Sequence, residues 1–259
     1  MNELIRVEQR PGYRIIALNR ADKMNAITPE LIAGIIAACD AAEADPECRA
    51  LILTGTGRAF CAGADLGGIA PDGDLGAAID RSWNPLARKF HTLRMPSIAA
   101  VNGVAAGAGA NLALGCDIIL AAKSASFIQA FSKIGLIPDA GGTYHLPRLV
   151  GEGRARALAL LAEPVAAERA EAMGMIWRAV DDAQLMPEAE SMAARLAKAP
   201  TQALLLTRQA YAASNTNSFD QQLDLERDLQ RKAGHTPDFQ EGVAAFLAKR
   251  SPVFTGKPS

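Results

Sequence analysis

Residues 101–112 read VNGVAAGAGANL, between the apolar run SIAAV at Ser97–Val101 and the helix-forming LAL at 112–114. A run of small residues that leaves a strand and opens a helix lets the backbone approach a ligand closely. Gly107 and Gly109 raise the possibility of a dinucleotide fingerprint. However, Leu112 stands where GxGxxG needs its third glycine, and no strand ending in an acidic residue lies about twenty positions on. That reading is rejected. What remains is a helix N-terminus with free N–H donors and a positive dipole end, suited to stabilising a developing oxyanion.

Outward from this turn, strand-like and helix-like segments alternate. ALILT at 50–54, SIAAV, and DIILA at 117–121 are buried-strand candidates. Thr28-Pro29-Glu30 has the form of an N-cap with proline at N1, followed by the helical periodicity of Leu31, Ile32, Ile35, Ile36 and Cys39. The alternation predicts an α/β fold with parallel strands and helical crossovers. Segments 4–8 and 13–19, separated by Pro11-Gly12, predict an opening hairpin. From about Gly151 the pattern reads as almost wholly helical, with breaks at Pro164, Pro187, Pro200 and Pro237. Phe219, Leu223 and Leu229 share one helical face, interrupted by Glu226, and Phe239, Val243, Phe246 and Leu247 share another. Helices of this kind, following a complete α/β core, either cover it or pack against another subunit, because an apolar stripe of that size is an aggregation liability.

A chain of 259 residues with 49% hydrophobic and 21% charged side chains buries a sizeable core as one large α/β domain or a domain with a helical appendage. Its 27 basic and 28 acidic side chains leave a net charge of -1, so no bulk field recruits nucleic acid or an anionic membrane. Only 5% of residues are aromatic, which also argues against base-stacking platforms. Cys39, Cys48, Cys61 and Cys116 show no CxxC spacing and no pairing with histidine, so neither a zinc site nor a disulfide framework is expected. Free thiols, the lack of a secretory h-region in MNELIRVEQRPGYR, and apolar runs broken by Asn111, Asp117 and Lys123 together predict a soluble, cytoplasmic protein.

Two further segments carry chemistry. RAFCAGADL at 58–66 follows a strand, and its small residues leave N–H groups free to point at a ligand. Taken alone it is equally a tight strand-to-helix loop. In FIQAFSKIGLIPDAGGT at 127–143, Asp139 lies between Pro138 and a glycine pair. Such an aspartate is commonly a helix N-cap. If instead it faces a pocket lined by residues such as Phe131, Leu136 and Ile137, desolvation raises its pKa towards acid–base use near neutrality. There is no GxSxG elbow, and His91, His145 and His235 are scattered, which suits surface or capping positions better than a triad or a metal site.

The three segments in this order, with LNRADKMNAI at 18–27, GLIPDAGGTYHLPRLVG at 135–151 and AFLAKRSPVFTGK at 245–257, resemble the crotonase (enoyl-CoA hydratase/isomerase) superfamily across essentially the whole chain. The resemblance implies an α/β crotonase (ClpP/crotonase-like) spiral of β-β-α units. Residues 1–200 would form the spiral core with the acyl-CoA site. Residues 201–259 would form a C-terminal helical region that builds a homotrimer or a dimer of trimers and covers the site. It implies an acyl-CoA substrate and no cofactor or metal. It also implies an oxyanion hole from the backbone N–H groups of Ala64 and Ala108, with Ala62, Asp65, Leu66, Gly107, Asn111 and Phe131 around the substrate. Phe254 and Lys257 match positions that approach the nucleotide end of CoA, often from the adjacent subunit.

Hydratases of that superfamily carry two glutamates, and the matching positions here are Asn111 and Phe131, neither of which shuttles a proton. A carboxylate appears instead at Asp139, where dienoyl-CoA isomerases carry one of theirs. One carboxylate moves a proton between two carbons, which is isomerase chemistry. NGVAAGAGANLAL at 102–114, FSKIGLIPDAGG at 131–142 and QLDLERDLQRKAG at 222–234 are similar to the superfamily's phenylacetate-pathway ring isomerases. That similarity implies conversion of a ring-epoxidised phenylacetyl-CoA to oxepin-CoA. Enoyl-CoA isomerisation or hydration, aryl-CoA dehalogenation with Asp139 as nucleophile, and a non-catalytic CoA-binding scaffold are the alternatives.

Overall fold

The computed structural model describes residues 4–68 and 73–257. Residues 1–3, where the charged N-terminal stretch begins, and residues 258–259, which end the expected helical region, lie outside the described residues. A hairpin opens the chain, from β1 (Ile5–Arg10) to β2 (Tyr13–Leu18), and turns at Gly12 with φ 84°. Helix α1 (Pro29–Ala44) follows, and the Thr28 side chain accepts from Leu31 N at 3.3 Å, so the predicted cap forms.

From there the chain winds in repeated units. Each places one strand in a large sheet, the next strand in a small one, and then a helical segment. The units run β3 (Ala50–Gly55), β4 (Ala59–Cys61), α2 (Leu75–Arg81) and α3 (Trp83–Thr92); then β5 (Ser97–Val101), β6 (Val104–Ala106) and α4 (Ala108–Leu114). The next runs β7 (Ile118–Ala122), β8 (Ser126–Ile128), α5 (Gly142–Val150) and α6 (Glu152–Leu161). The large sheet has the order β1-β2-β3-β5-β7-β10 and the small one β4-β6-β8-β9, parallel except at β1/β2 and β8/β9. All five residues of β5 and the first five of β3 are buried, as expected of parallel strands covered on both faces. Every residue of α4 is buried as well, which only a sequence as small as AGANLAL allows in so crowded a place.

The later chain is less uniformly helical than its pattern suggests. β9 (Val165–Ala166) and α7 (Ala167–Ala172) are followed by β10 (Arg178–Val180), which closes the large sheet against β7. Strands of two and three residues are too short to leave a periodicity. α8 (Leu185–Ala197) packs across β3, β5 and β7. Pro187 does not break it, because it falls in the first turn, where the N–H has no intrahelical acceptor anyway. α9 (Thr201–Ser214), α10 (Phe219–Gly234) and α11 (Pro237–Leu247) complete the chain, and residues 248–257 return along them. Among the described residues no helix is long and apolar enough to cross a membrane. All four cysteines are free and buried.

Candidate active site

The parallel strands β4, β6 and β8 of the small sheet lie side by side, and the chain leaving each one supplies one piece of the site. After β4, Ile27 N donates to Gly63 O at 2.8 Å and Asp65 N donates to Ile27 O at 2.9 Å. These bonds flank Ala64 and leave its own N–H without an acceptor among the described residues. After β6, Gly107 adopts φ 54°, donates its N–H to Ile128 O at 2.7 Å, and starts α4. The N–H of Ala108 belongs to the first turn of that helix and has no intrahelical acceptor.

The two turns are fitted together through glycine. A Cβ built on Gly63 meets Ala106 O at 2.9 Å and Ala108 N at 3.7 Å, and one on Gly109 meets the Cys61 carbonyl and sulfur at 2.5 Å each. The loops that carry the N–H groups of Ala64 and Ala108 thus abut. Ala62 spends its N–H on Met24 O at 3.0 Å and lies between them and β4. Asp65 is half-buried, but its carboxylate is fully engaged. Oδ2 pairs with Arg20 at 3.0 Å, Oδ1 accepts from Gly67 N at 3.2 Å, and the Arg20 bond followed by the Gly67 bond holds its pKa below the usual range. Through these bonds it shapes the Ala64 loop. Leu66 follows it, exposed.

After β8 the chain passes through Gln129, a 3-10 turn at Ala130–Ile134 and the tight turn at Asp139. Asp139 is not an N-cap. α5 is preceded by Gly141 in the left-handed region and has no side-chain cap. The carboxyl instead turns inwards. Burial, partly offset by a bond from its own backbone N–H, pushes its pKa from 3.8 up to about 6, and Oδ1 is buried without a bond to another protein group.

Phe131 is buried, with its ring edge 3.7 Å from the place a Cβ on Gly107 would take, so it packs against the turn that opens α4. Leu136 and Ile137 are 39% and 80% exposed, so neither is packed into the core around Asp139. Asn111 is 0% exposed and both of its amide atoms are taken. Oδ1 accepts from Gln129 Nε2 at 2.8 Å, and Nδ2 donates to Asp139 O at 2.9 Å. Its amide thus links Gln129 to the peptide that follows Asp139.

Phe254 and Lys257 are not brought to Asp139 within the chain. Phe254 packs beside Gly242, and its carbonyl accepts from Arg49 at 2.8 Å, where the chain enters β3. The buried carboxylate of Asp238 holds this strap through Thr255 N, Thr255 Oγ1 and Gly256 N at 2.7, 3.1 and 2.8 Å. Lys257 is exposed beyond it. His91 and His235 are exposed, while His145 is half-buried edge-on to Tyr144, and burial lowers its pKa. Among the described residues no three His, Cys, Asp or Glu side chains group as metal ligands. Sequence reasoning missed Gln129 and Arg20. Gln129 had a weak signal, a polar residue directly after the short strand β8 and before an apolar Ala130-Phe131. Arg20 had none, since its partner lies 45 residues on.

The enoyl-CoA hydratase/isomerase family matches residues 8–257. The chain is 51% identical to the 1,2-epoxyphenylacetyl-CoA isomerase of Escherichia coli (strain K12), over 99% of this chain and 100% of that one. It is 34% identical to the 2,3-dehydroadipyl-CoA hydratase of the same organism, over 99% and 100%. Among solved structures, an enoyl-CoA hydratase from Bacillus anthracis superposes with a TM-score of 0.92 at 32% identity, covering 98% of this chain and 100% of that one.

Proposed function

Since this chain belongs to the enoyl-CoA hydratase/isomerase family, we propose that it is an acyl-CoA isomerase converting 2-(1,2-epoxy-1,2-dihydrophenyl)acetyl-CoA to oxepin-CoA. One observation carries the reading. The carboxyl that the site offers is Asp139, tuned to about 6, while the positions matching the hydratase glutamates hold a fully engaged Asn111 and an apolar Phe131. Adding water across a double bond needs one group to take a proton from water and one to deliver a proton to carbon. Moving a proton between two carbons needs one group that first accepts and then returns it.

In the proposed mechanism the thioester oxygen sits between the N–H groups of Ala64 and Ala108, which stabilise negative charge as it develops there. That stabilisation acidifies the carbon next to the carbonyl. In the ring epoxide the carbon–carbon bond shared by the three- and six-membered rings breaks, and its electron pair joins the ring double bonds to give the seven-membered oxepin. Ionised Asp139 takes the proton from the carbon next to the thioester carbonyl, leaving a dienolate, and the resulting carboxylic acid returns it to a ring carbon, so that an exocyclic double bond conjugated with the thioester remains. A carboxyl with a pKa near 6 is ionised at neutral pH and still gives a usable acid once protonated. The chemistry uses main-chain donors and one carboxyl and calls for no cofactor. The four free, buried thiols support a cytoplasmic setting.

We propose further that residues 1–200 form the catalytic core, and that 201–259 assemble a trimer or a dimer of trimers. The apolar faces of α10 and α11 support this. Leu229 is buried, but Phe219, Leu223, Phe239 and Val243 are exposed and Phe246 is 83% exposed. A recess of about 440 Å³ between α5 and α9, lined by His91, Tyr144, Leu205 and Tyr211, likewise awaits a neighbour. In that assembly Phe254 and Lys257, held far along the chain from their own Asp139, serve the CoA of an adjacent subunit.

Turnover of epoxidised phenylacetyl-CoA beside a straight-chain 3-enoyl-CoA and crotonyl-CoA tests the function. The expected order places the ring epoxide first and crotonyl-CoA hydration last. Hydration matching the enzyme's own isomerisation rate overturns the reading.

A further inference from the structure

Two fully packed amides stand behind Asp139, and their orientation is forced. The Asp139 carbonyl only accepts hydrogen bonds, so the Asn111 atom facing it at 2.9 Å is the donor Nδ2. Oδ1 of Asn111 is then left facing Gln129, which turns its own donor Nε2 to it at 2.8 Å. Reversing either amide opposes two donors or two acceptors. Both side chains are at most 5% exposed, so water does not rescue the wrong orientation.

The same carbonyl accepts a second bond, from Gly142 N at 2.8 Å. Glycine is required there, because a Cβ would lie 2.1 Å from Asn111 Nδ2. Between these two anchors the chain makes a left-handed turn, with φ 49° at Ala140 and 83° at Gly141. A non-glycine residue rarely holds such a φ unless its surroundings fix it.

We propose that Asn111 and Gln129 are positioning residues for Asp139. Gln129 locks the Asn111 amide in the orientation that the Asp139 carbonyl demands. Asn111 then pins the peptide after Asp139, so that the carboxyl leaves the chain in one direction, into the buried site. The inference rests on the reading of Asp139 as the acid–base group. Among the described residues no charged side chain acts on the Asp139 carboxyl, which answers to burial and to its own backbone N–H. α4 faces it with Asn111, Lys133 of the 3-10 turn is exposed, and burial lowers the pKa of His145 in α5, which disfavours its charged form.

The test uses the full-length enzyme with a 3-enoyl-CoA, with kcat normalised to sites counted by CoA titration. Gln129→Met keeps the length of the side chain and removes the donor. Its kcat is expected to fall roughly tenfold or more, within the range of general-base effects, with KM changed less than about twofold. The acidic limb of its kcat–pH profile should move from about 6 towards the ordinary carboxylate value of 3.8. A residue that only fills space does not move that limb. Gln129→Glu donates only as the neutral acid, so its kcat is expected to fall as pH rises, and it decides the matter should the methionine variant fail to fold. Wild-type kcat in Gln129→Met, an unmoved limb, or a pH-independent Gln129→Glu overturns the proposal. Asp139→Asn run beside them separates the two layers. If that variant stays active, the acid–base reading itself fails, whereas an inactive Asp139→Asn with fully active Gln129 variants sinks the positioning role alone.

Discussion

Asp139→Asn is expected to trade activity for stability, and the size of the trade follows from one number. Burial raises the carboxyl pKa from 3.8 to about 6. The folded protein therefore keeps this proton to higher pH than the unfolded chain, and folding loses stability as pH climbs from about 4 through about 6. Two pKa units correspond to about 3 kcal/mol. The group is partly open to solvent, which screens it, so roughly half that, about 1.5 kcal/mol, is a fairer expectation. Asparagine never ionises and escapes this cost. The variant should match the wild type in urea unfolding near pH 4 and exceed it by about 1.5 kcal/mol at pH 8, with the gap opening between those values. Over the same window wild-type kcat should rise with pH as the base ionises. At pH 8 the variant should lose at least ~100-fold in isomerisation of a 3-enoyl-CoA, the scale of general-base loss, with acyl-CoA affinity little changed. Near-wild-type turnover, or a stability difference independent of pH, refutes the reasoning.

Gly109→Ala should open the oxyanion hole. Its Cβ meets the Cys61 carbonyl at 2.5 Å and forces α4 from β4, so kcat should fall with fold stability reduced by about 1–3 kcal/mol, read by steady-state kinetics and thermal melting. Gly142→Ala drives a methyl into Asn111 and should lower kcat more than acyl-CoA affinity, measured by turnover beside isothermal titration. Asp238→Asn sets an amide donor against the N–H groups of Thr255 and Gly256 and should release the strap. Limited proteolysis after Lys249 and weaker CoA binding, with the oligomer intact by light scattering, are the expected readouts.

The fold was legible where local chemistry and packing agree. ALILT, SIAAV and DIILA are strands because they are buried on both faces, and Thr28-Pro29 starts a helix because side chain and ring satisfy its first turn. β10 and the helical place of Pro187 were not legible. A three-residue strand is made by its partner β7, and a proline within a first turn looks like a break to any local rule. At the site, Asp139 and the small-residue turns at 63–64 and 107–109 stood out by type. The sequence did not tell a residue that touches substrate from one that supports a neighbour. Asn111 and Asp65 are both polar residues in small-residue motifs, and their contacts with Gln129, Arg20 and Gly67, distant in sequence or made by backbone, had no local signal.

The winding of the chain also shapes how this enzyme can be altered by heredity. In the mechanism proposed above, two of the three groups that act on substrate, at Ala64 and Ala108, are peptide amides that every amino acid except proline supplies. Point mutation therefore reaches them only indirectly, by crowding Gly63, Gly107 or Gly109. The third group is a single codon on the following turn of the spiral, beside two others, at 111 and 131, that carry no acid. The apparatus that activates a thioester is thus buffered against mutation, while the proton chemistry performed on it can be rewritten by single substitutions on separate turns.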